Sequence, residues 1–259
     1  MRKLLFLLIS LFLVGVSSFA QEANSSKKEK ESNFFNTEID YQLRAYFSIG
    51  GSAPLGIPSE IREIESYNPG LKLGLEANAT KWLSEDWGLR AGIAVESKGM
   101  KTRAITKNYL TEIIQADERL KGYYTGTVRT SVNNTYLSIP VSAVYKLSSR
   151  WNLYSGLFVS IAIDKEFDGY VSNGYLRQDT PVGPKINFEG EGRAAYDFSK
   201  EVQTFQWGMQ LGAEWQLNRH FKLFPNVDYS FNGVLNKDFE AISFSLHNIS
   251  LNMGFAYEF

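Results

Sequence analysis

The sequence predicts an all-β fold, an eight-stranded antiparallel up-and-down transmembrane β-barrel. Eight segments of about a dozen residues alternate between large apolar residues and small or polar ones, as in the final stretch "NISLNMGFAYEF", which is the period of a β-strand. The connections between the segments alternate between short and long. Aromatic residues gather on the apolar face beside the short connections. The elements are justified below in chain order.

The N-terminal residues are predicted to lie outside the barrel. A basic start is followed by an apolar run that ends at Val16 and by mostly small residues up to Ala20, the pattern of a secretory signal peptide cleaved after Ala20. The run is shorter than the ~20 residues that a spanning helix needs. Residues 21–38 are polar and of mixed charge, so they are predicted to form a flexible periplasmic tether. The barrel domain is expected over residues 39–259.

The strands are predicted from period-2 alternation. In the first, Leu43, Phe47 and Ile49 share one face and polar residues fill the other; in the sixth, "FQWGMQLGAEWQL" is nearly perfect in its alternation. The last segment keeps the pattern to its end, as expected if it closes the barrel against the first strand, because an unpaired edge in lipid leaves backbone groups unsatisfied. In order, the segments are Tyr41–Gly50, Leu71–Thr80, Trp87–Glu96, Leu137–Leu147, Trp151–Ile163, Phe205–Leu217, Phe221–Phe231 and Ile249–Phe259.

The connections predict which ends of the strands lie together. Short turns are expected around Ser84–Asp86, Ser148–Arg150 and Asn218–His220, and long loops over 52–69, 100–133, 164–201 and 233–243. This alternation places the short turns and both ends of the barrel domain on one side, the pattern of bacterial outer-membrane barrels with short periplasmic turns and long outer loops. Within the second long loop, Ile105–Leu120 is predicted to form a short amphipathic helix.

Alternation alone leaves open a soluble, lipocalin-like barrel whose apolar face points inward. Glycine and small polar residues dominate the polar face and the apolar face lacks charge except at strand ends, which favours a crowded interior and a lipid-facing exterior. Amphipathic aromatic rings at one level favour a membrane-interface girdle. The predicted girdle consists of Tyr41, Trp87, Tyr145, Trp151, Trp215, Phe221, Tyr257 and Phe259.

The polar face also carries ionisable residues of both signs. Inside a narrow barrel such charges are expensive unless they are paired, so they are predicted to form an ionic lattice that plugs the lumen. A narrow ion path is the alternative, although eight strands leave no aqueous channel. The predicted lattice consists of Arg44, Lys72, Glu76, Arg90, Glu96, Lys146, Glu214, Lys222, Asp228 and Glu258.

Composition excludes several classes of site. The chain has no cysteine, two histidines and a net charge of −1, so no thiolate chemistry is possible, and no metal, cofactor or nucleic acid is expected. Ser245 and His247 share the apolar-face parity near the outer end of the last strand and resemble, in reversed order, the pair of lipid A deacylases. No carboxylate is evident to orient the histidine. We therefore expect two polar rim residues and no enzyme.

The stretches "YLSIPVSAVYKLSSRWNLYSGLFVSIAI" (Tyr136–Ile163) and "LGLEANATKWLSEDWGLRAGIAVESKG" (Leu73–Gly99), with the final strand, resemble the PorT-like outer-membrane β-barrel family of Bacteroidetes, an OmpA-like eight-stranded architecture. The resemblance covers residues 40–259 and implies an integral protein of the cell outer membrane. Expected partners are lipopolysaccharide and phospholipid, the barrel-assembly machinery through the C-terminal strand, and a protein at the outer loops. A non-enzymatic role in partner binding or envelope integrity is expected. The alternatives are a subunit of a secretion or transport assembly, as the resemblance allows, a small-solute porin, or a lipid A-modifying enzyme.

Overall fold

A computed structural model describes residues 39–259 without 55, 116, 117, 240 and 243, and without the side chains of residues 115, 189 and 191. The predicted signal peptide and tether lie outside the described residues. Antiparallel β-structure dominates the described chain, and Ile39–Glu258 form one unit by their contacts. Apart from a single 3-10 turn at Ser199–Glu201, the regular elements are β1 Ile39–Pro54, β2 Ile61–Asn68, β3 Lys72–Trp82, β4 Trp87–Gln115, β5 Glu118–Lys146, β6 Trp151–Asp164, β7 Phe167–Gln178, β8 Lys185–Asp197, β9 Phe205–Gln216, β10 Phe221–Ser230 and β11 Leu246–Glu258.

The strand pairings form a closed circuit. β1 pairs with β3 on one side and with β11 on the other. From β3 the pairings pass through β4, β5, β6, β9 and β10, and they return to β11. Each strand segment predicted from alternation falls on a strand of this circuit. The first and last of them pair along their length, from Gln42 opposite Glu258 to Pro54 opposite Leu246.

The two ends of the circuit differ in their connections. Tight turns after β3, β5 and β9 are closed by backbone hydrogen bonds, such as the one from Leu83 N to Trp87 O, 2.8 Å. We call this the short-turn end. At the opposite end, which we call the long-loop end, the predicted loops contain β2, β7 and β8, and β4 and β5 continue together from Trp87–Tyr145 to Gln115–Glu118. Three of the four predicted long loops are therefore largely β-structure, whereas the described residues of 233–243 form no strand.

The helix predicted at Ile105–Leu120 is wrong. Of its described residues, 105–115 are the end of β4 and 118–120 are the start of β5, and the two strands pair from Ile105 opposite Thr127 to Gln115 opposite Glu118. The pairing has one irregularity between Thr106 and Tyr109, where Asn108 adopts a positive φ of 57°. Because this bulge shifts the alternation by one residue, the apolar positions on either side mimic helical spacing.

The strands separate two unlike faces. On β3, Leu73 is 64% exposed whereas the alternate residue Glu76 is 8% exposed. The same division recurs along the circuit, with apolar side chains on the exterior and Ser, Asn, Gln, Gly and ionisable residues on the interior. Since exposed apolar surface is costly in water, this division requires an apolar surrounding for the exterior.

Interior aromatic rings lie over glycines of the neighbouring strand. Tyr46 is opposite Gly74, and a Cβ added at Gly74 would meet the Tyr46 ring at 2.3 Å. Tyr154 is related to Gly212 in the same way, at 2.4 Å. The glycines thus leave room for large interior side chains, which is why they recur on the polar face of the sequence.

A separate apolar cluster lies at the long-loop end. It combines residues of β4, β5, β7 and β8, the segments after β8 and β10, and the first residue of β11. Tyr196 O–H, within it, approaches Thr130 Oγ1 at 2.6 Å and Arg129 O at 2.8 Å. We call it the end cluster; its buried members are Met100, Tyr109, Ile113, Tyr124, Val128, Val132, Phe167, Val171, Leu176, Phe188, Ala194, Tyr196, Phe198, Val202, Val234, Ala241, Ile242 and Leu246. No helix among the described residues is long and apolar enough to cross a membrane.

Candidate functional site

The interior of the circuit near the short-turn end contains a cluster of ion pairs centred on Glu214 of β9. Arg90 of β4 binds both of its oxygens, with Nη1 2.8 Å from Oε1 and Nη2 3.0 Å from Oε2. Arg44 of β1 also contacts Oε1, and it lies 3.5 Å from Glu76 of β3. Lys222 of β10 lies 3.9 Å from Glu214. We call these residues, with Glu258, the Glu214 cluster.

Charges balance within the Glu214 cluster. Lys222 contacts Glu258, which also accepts a hydrogen bond from Gln42 at 2.8 Å. The cluster therefore joins three cations (Arg44, Arg90, Lys222) and three carboxylates (Glu76, Glu214, Glu258). Because its members come from β1, β3, β4, β9, β10 and β11, the cluster links strands on opposite sides of the circuit.

Aromatic rings enclose the Arg44 guanidinium. Its Cζ lies 4.9 Å from the centroid of Tyr154 and 4.7 Å from that of Phe224. Arg90 Cζ lies 5.2 Å from the same Tyr154 ring. Such cation–π contacts stabilise a desolvated cation by roughly 2 kcal/mol, so they offset part of the cost of burying the two arginines.

A second interior cluster lies closer to the long-loop end. Lys98 of β4 lies 3.1 Å from Glu96 and 3.7 Å from Asp228 of β10. Tyr46 and Ser138 each donate a hydrogen bond to Glu96, at 3.3 and 2.9 Å. Asp228 accepts hydrogen bonds from Asn226 and Asn252, both 2.7 Å long. One ammonium group and several neutral donors thus share two buried carboxylates. We call these residues the Lys98 cluster.

Two of the predicted lattice residues lie outside both clusters. Lys72, at the long-loop end of β3, donates to Asn133 Oδ1 at 2.6 Å. Lys146 has interior parity, but it is exposed because it is the last residue of β5. Of the other eight, six belong to the Glu214 cluster, and Glu96 and Asp228 belong to the Lys98 cluster.

Lys98 was not predicted from the sequence. The strand prediction stopped at Glu96, whereas β4 continues to Gln115. Extending the alternation by one step would have placed Lys98 on the interior face. The aromatic partners Tyr154 and Phe224 were missed because large rings were expected outside, although both have the interior parity of their strands, shared with Gly156 and with Lys222 respectively.

The exterior residues predicted to form the girdle lie at the short-turn end. Trp87 and Tyr145 are opposite each other, with ring centroids 4.8 Å apart. Trp151 and Trp215 are also opposite and stack at 6.0 Å. Phe221 and Tyr257 follow at 5.3 Å, and Tyr41 and Phe259 are exposed on the same exterior face. The paired registers bring these rings to similar levels on adjacent strands.

Ser245 and His247 do not form a nucleophile–base pair. His247 Nδ1 lies 3.0 Å from the backbone oxygen of Ser230, and the imidazole stacks on Tyr229 with centroids 6.0 Å apart. Ser245 is exposed, just before β11 begins. Among the described residues, no carboxylate is within hydrogen-bond or ion-pair distance of His247. The geometry gives this histidine a structural contact and no activating partner.

Comparisons with known proteins identify the fold family. The family model described as an outer membrane protein beta-barrel domain matches residues 19–236. No curated protein matches the chain. Among solved structures, similarity is found to Ail, the attachment invasion locus protein of Yersinia pestis, with 12% identity, a TM-score of 0.38 and coverage of 86% of this chain and 99% of that one.

Two further solved structures show similar values. Neisserial surface protein A is 14% identical, with a TM-score of 0.36 and coverage of 85% of this chain and 97% of that one. The outer membrane protein OprG from Pseudomonas aeruginosa is 14% identical, with a TM-score of 0.34 and coverage of 86% and 97%. Similarities of this strength imply no shared ligand or activity.

Proposed function

We propose, from the premise that this chain belongs to the outer membrane protein beta-barrel domain family and is an integral outer-membrane protein, that it is a non-enzymatic eight-stranded barrel with a plugged lumen. Its long-loop end faces outward and binds a partner or supports the integrity of the envelope. The signal peptide directs the chain across the inner membrane, and the N-terminus stays in the periplasm. The C-terminal strand is the segment that the barrel-assembly machinery recognises.

One observation carries this proposal: apolar side chains cover the exterior of the circuit while the charges are buried inside it. A closed circuit satisfies the backbone in lipid without an edge. The aromatic residues at the short-turn end suit a membrane interface, where lipopolysaccharide and phospholipid are the surrounding molecules. The closed circuit of strand pairings supports a count of eight, and eight strands enclose only enough space for side chains.

The interior clusters support a plug. Arg44, Arg90 and Glu214 meet in the interior near the short-turn end, and the rings of Tyr154 and Phe224 lie against the Arg44 guanidinium. Opening an ion path would require breaking these buried pairs, which costs several kcal/mol. We therefore expect no steady conductance.

Planar-bilayer recording tests the plug. The purified full chain, inserted from detergent, is expected to give no discrete single-channel currents, and neither is the Arg90→Ala variant, whose remaining side chains still fill the interior. A barrel of proven conductance, added to the same bilayer, checks that insertion is detectable. Large reproducible currents from the wild-type protein would refute the plugged lumen and favour a small-solute porin.

The exposed tip between β7 and β8 supports partner binding at the long-loop end. Val182 in this tip is 86% exposed, and loops at the end of a rigid scaffold commonly carry binding residues. A second candidate, a subunit of a secretion or transport assembly, is supported by the resemblance to PorT-like barrels. Partner binding and the role of an assembly subunit both place a protein at the long-loop end, but only the assembly subunit requires a stable complex.

Co-purification after mild detergent extraction tests the partner. We expect the wild-type chain to retain a protein that is lost when residues 179–184 are replaced by a Gly-Ser linker. Replacement of residues 84–86, at the short-turn end, is the matched control. A stable complex of several envelope proteins would favour the assembly subunit. Recovery of the tagged chain alone, from cells that also keep normal envelope resistance when it is deleted, would contradict both roles. An altered lipid A acyl pattern on overexpression would contradict the non-enzymatic proposal.

A further inference from the structure

An apolar cavity of about 270 Å³ lies inside the long-loop end. Its walls are the interior side of β2 and β4 and the segment that precedes β11. Among its lining residues are Ile64, Tyr67, Met100, Ala104, Ile242 and Phe244, and none of the described lining residues is charged. Ser52, two tyrosines and the threonines of β4 and β5 add hydroxyl groups to a mostly hydrocarbon surface.

The side chains of β2 that face this cavity are incompletely covered. Ile64 is opposite Ala104 and Tyr67 is opposite Thr102, so both have the interior parity of β4. They are nevertheless 47% and 48% exposed. Across the cavity, Met100, Ile242 and Leu246 are buried in the end cluster. The wall formed by β2 therefore presents apolar surface to a space that the described chain does not fill.

The mouth of the cavity lies between β1 and β2. β1 pairs with β3 only as far as Ser48 opposite Lys72, and β2 pairs with β4. No pairing joins β2 to residues 49–54 among the described strands. Ile57, beside this gap, is also strongly exposed. A small molecule can thus enter between two strand edges without disturbing the closed circuit below.

The position of the cavity along the strands favours a free small molecule over a lipid acyl chain as its ligand. On β4 the continuous run of exterior apolar residues ends at Val95, and the next four exterior positions are Ser97, Gly99, Lys101 and Arg103. Met100 lies roughly 16 Å along the strand beyond Val95, so the mouth is beside polar surface and away from the apolar band. Below the floor at Met100, the next interior residue of β4 is Lys98, paired with Glu96. The site is therefore a blind pocket with no continuation through the interior.

We propose that this cavity is a binding site for a neutral, largely apolar small molecule of one to two rings. An engineered apolar cavity of about 150 Å³ accommodates benzene, so the volume here suits a bicyclic hydrocarbon. Burial of an ion would leave its charge unpaired against this lining. The Thr106 and Thr130 hydroxyls bond to Gly126 O and to the Tyr196 hydroxyl, so the Thr102 hydroxyl is the threonine donor in this lining that can serve a single polar atom of the ligand.

Photoaffinity labelling of the full chain in lipid nanodiscs tests the site, with a naphthyl diazirine as the probe and unlabelled naphthalene as the competitor. Mass spectrometry is expected to find label on peptides that contain Ile64, Met100 or Phe244. Ala104→Trp fills the cavity and is expected to reduce this labelling at least tenfold. Ile105→Trp adds the same ring to the opposite face of β4 and serves as the matched control.

A second variant keeps the test decisive if Ala104→Trp does not fold, which its migration without heating on denaturing gels would reveal. Ile64→Ala removes part of the β2 wall and should weaken competition by naphthalene at least fivefold. Label confined to the exterior apolar band, such as Leu73 and Ile93, would overturn the proposal. Cavity labelling that naphthalene does not displace, or that neither variant changes, would also overturn it.

Discussion

At the scale of single residues, Glu214 is the carboxylate that pairs with the largest number of buried cations in the interior. It contacts Arg44, Arg90 and Lys222. Glu214→Gln keeps the shape but leaves these cations without their shared carboxylate, and breaking a buried pair in this way costs about 3–5 kcal/mol. Urea unfolding in lipid vesicles, followed by tryptophan fluorescence, measures the loss. Glu118→Gln, an exposed change of the same type, should leave the midpoint unaltered; equal midpoints for both variants would contradict the role of Glu214.

Two facing carboxylates at the long-loop end predict a pH effect. Asp168 is opposite Asp197, and burial, with the neighbouring charges of Glu166 and Asp197, raises the pKa of Asp168 above its ordinary 3.8. A carboxylic acid whose pKa is higher in the folded than in the unfolded state favours folding most when it is protonated. The contribution of Asp168 to stability is therefore lost as pH rises through the interval between 3.8 and the raised pKa. Asp168→Asn should therefore raise the thermal midpoint at pH 7 and have no effect at pH 3.

Asp197 provides the contrast for this measurement. Hydrogen bonds from Ser199, including one of 2.9 Å from its backbone N–H, lower the pKa of Asp197. Its stabilising contribution is thus present at neutral pH and is lost as pH falls. Asp197→Asn should lower the thermal midpoint at pH 7. A gain from both variants at pH 7 would show that mutual repulsion alone governs the pair.

At the scale of paired elements, aromatic rings over glycines determine how closely β1 and β3 pack. A Cβ at Gly74 would lie 2.3 Å from the Tyr46 ring, so Gly74→Ala should cost about 1–3 kcal/mol by overpacking. In a Tyr46→Leu background the same change should cost much less, because the ring is gone. Gly233→Ala, whose Cβ would meet no atom closer than 3.6 Å, is the control. Vesicle unfolding of the four cycle members measures the coupling, and additive costs would contradict it.

The same scale shows how far the sequence predicts the fold. Alternation located the strands of the closed circuit. Each of these strands has one interior face and one apolar exterior face, so its residues alternate with a period of two. It missed β2, β7, β8 and the extension of β4 and β5. Beyond Val95 the exterior positions of β4 are no longer apolar, and bulges such as the one at Asn108 interrupt the period farther along. Interior parity identified Glu214 and its cationic partners as candidates, whereas which charges meet depends on register across strands distant in sequence, such as Arg44 and Glu214. The cavity beside β2 could not be foreseen without that strand.

At the scale of the whole molecule, the partition between a charged interior and an apolar exterior makes stability depend on depth in the bilayer. Leu157, in the middle of β6, and Leu147, at the short-turn end, are both exterior and both 57% exposed. In water a change to arginine would cost the same at either position. In a membrane Leu157→Arg should cost ~2–4 kcal/mol and Leu147→Arg ~0–1 kcal/mol, because an arginine near the interface can reach water. Urea unfolding of both variants in vesicles measures the difference. Equal costs would mean that the exterior does not face acyl chains, and the membrane-spanning interpretation of the circuit would be wrong.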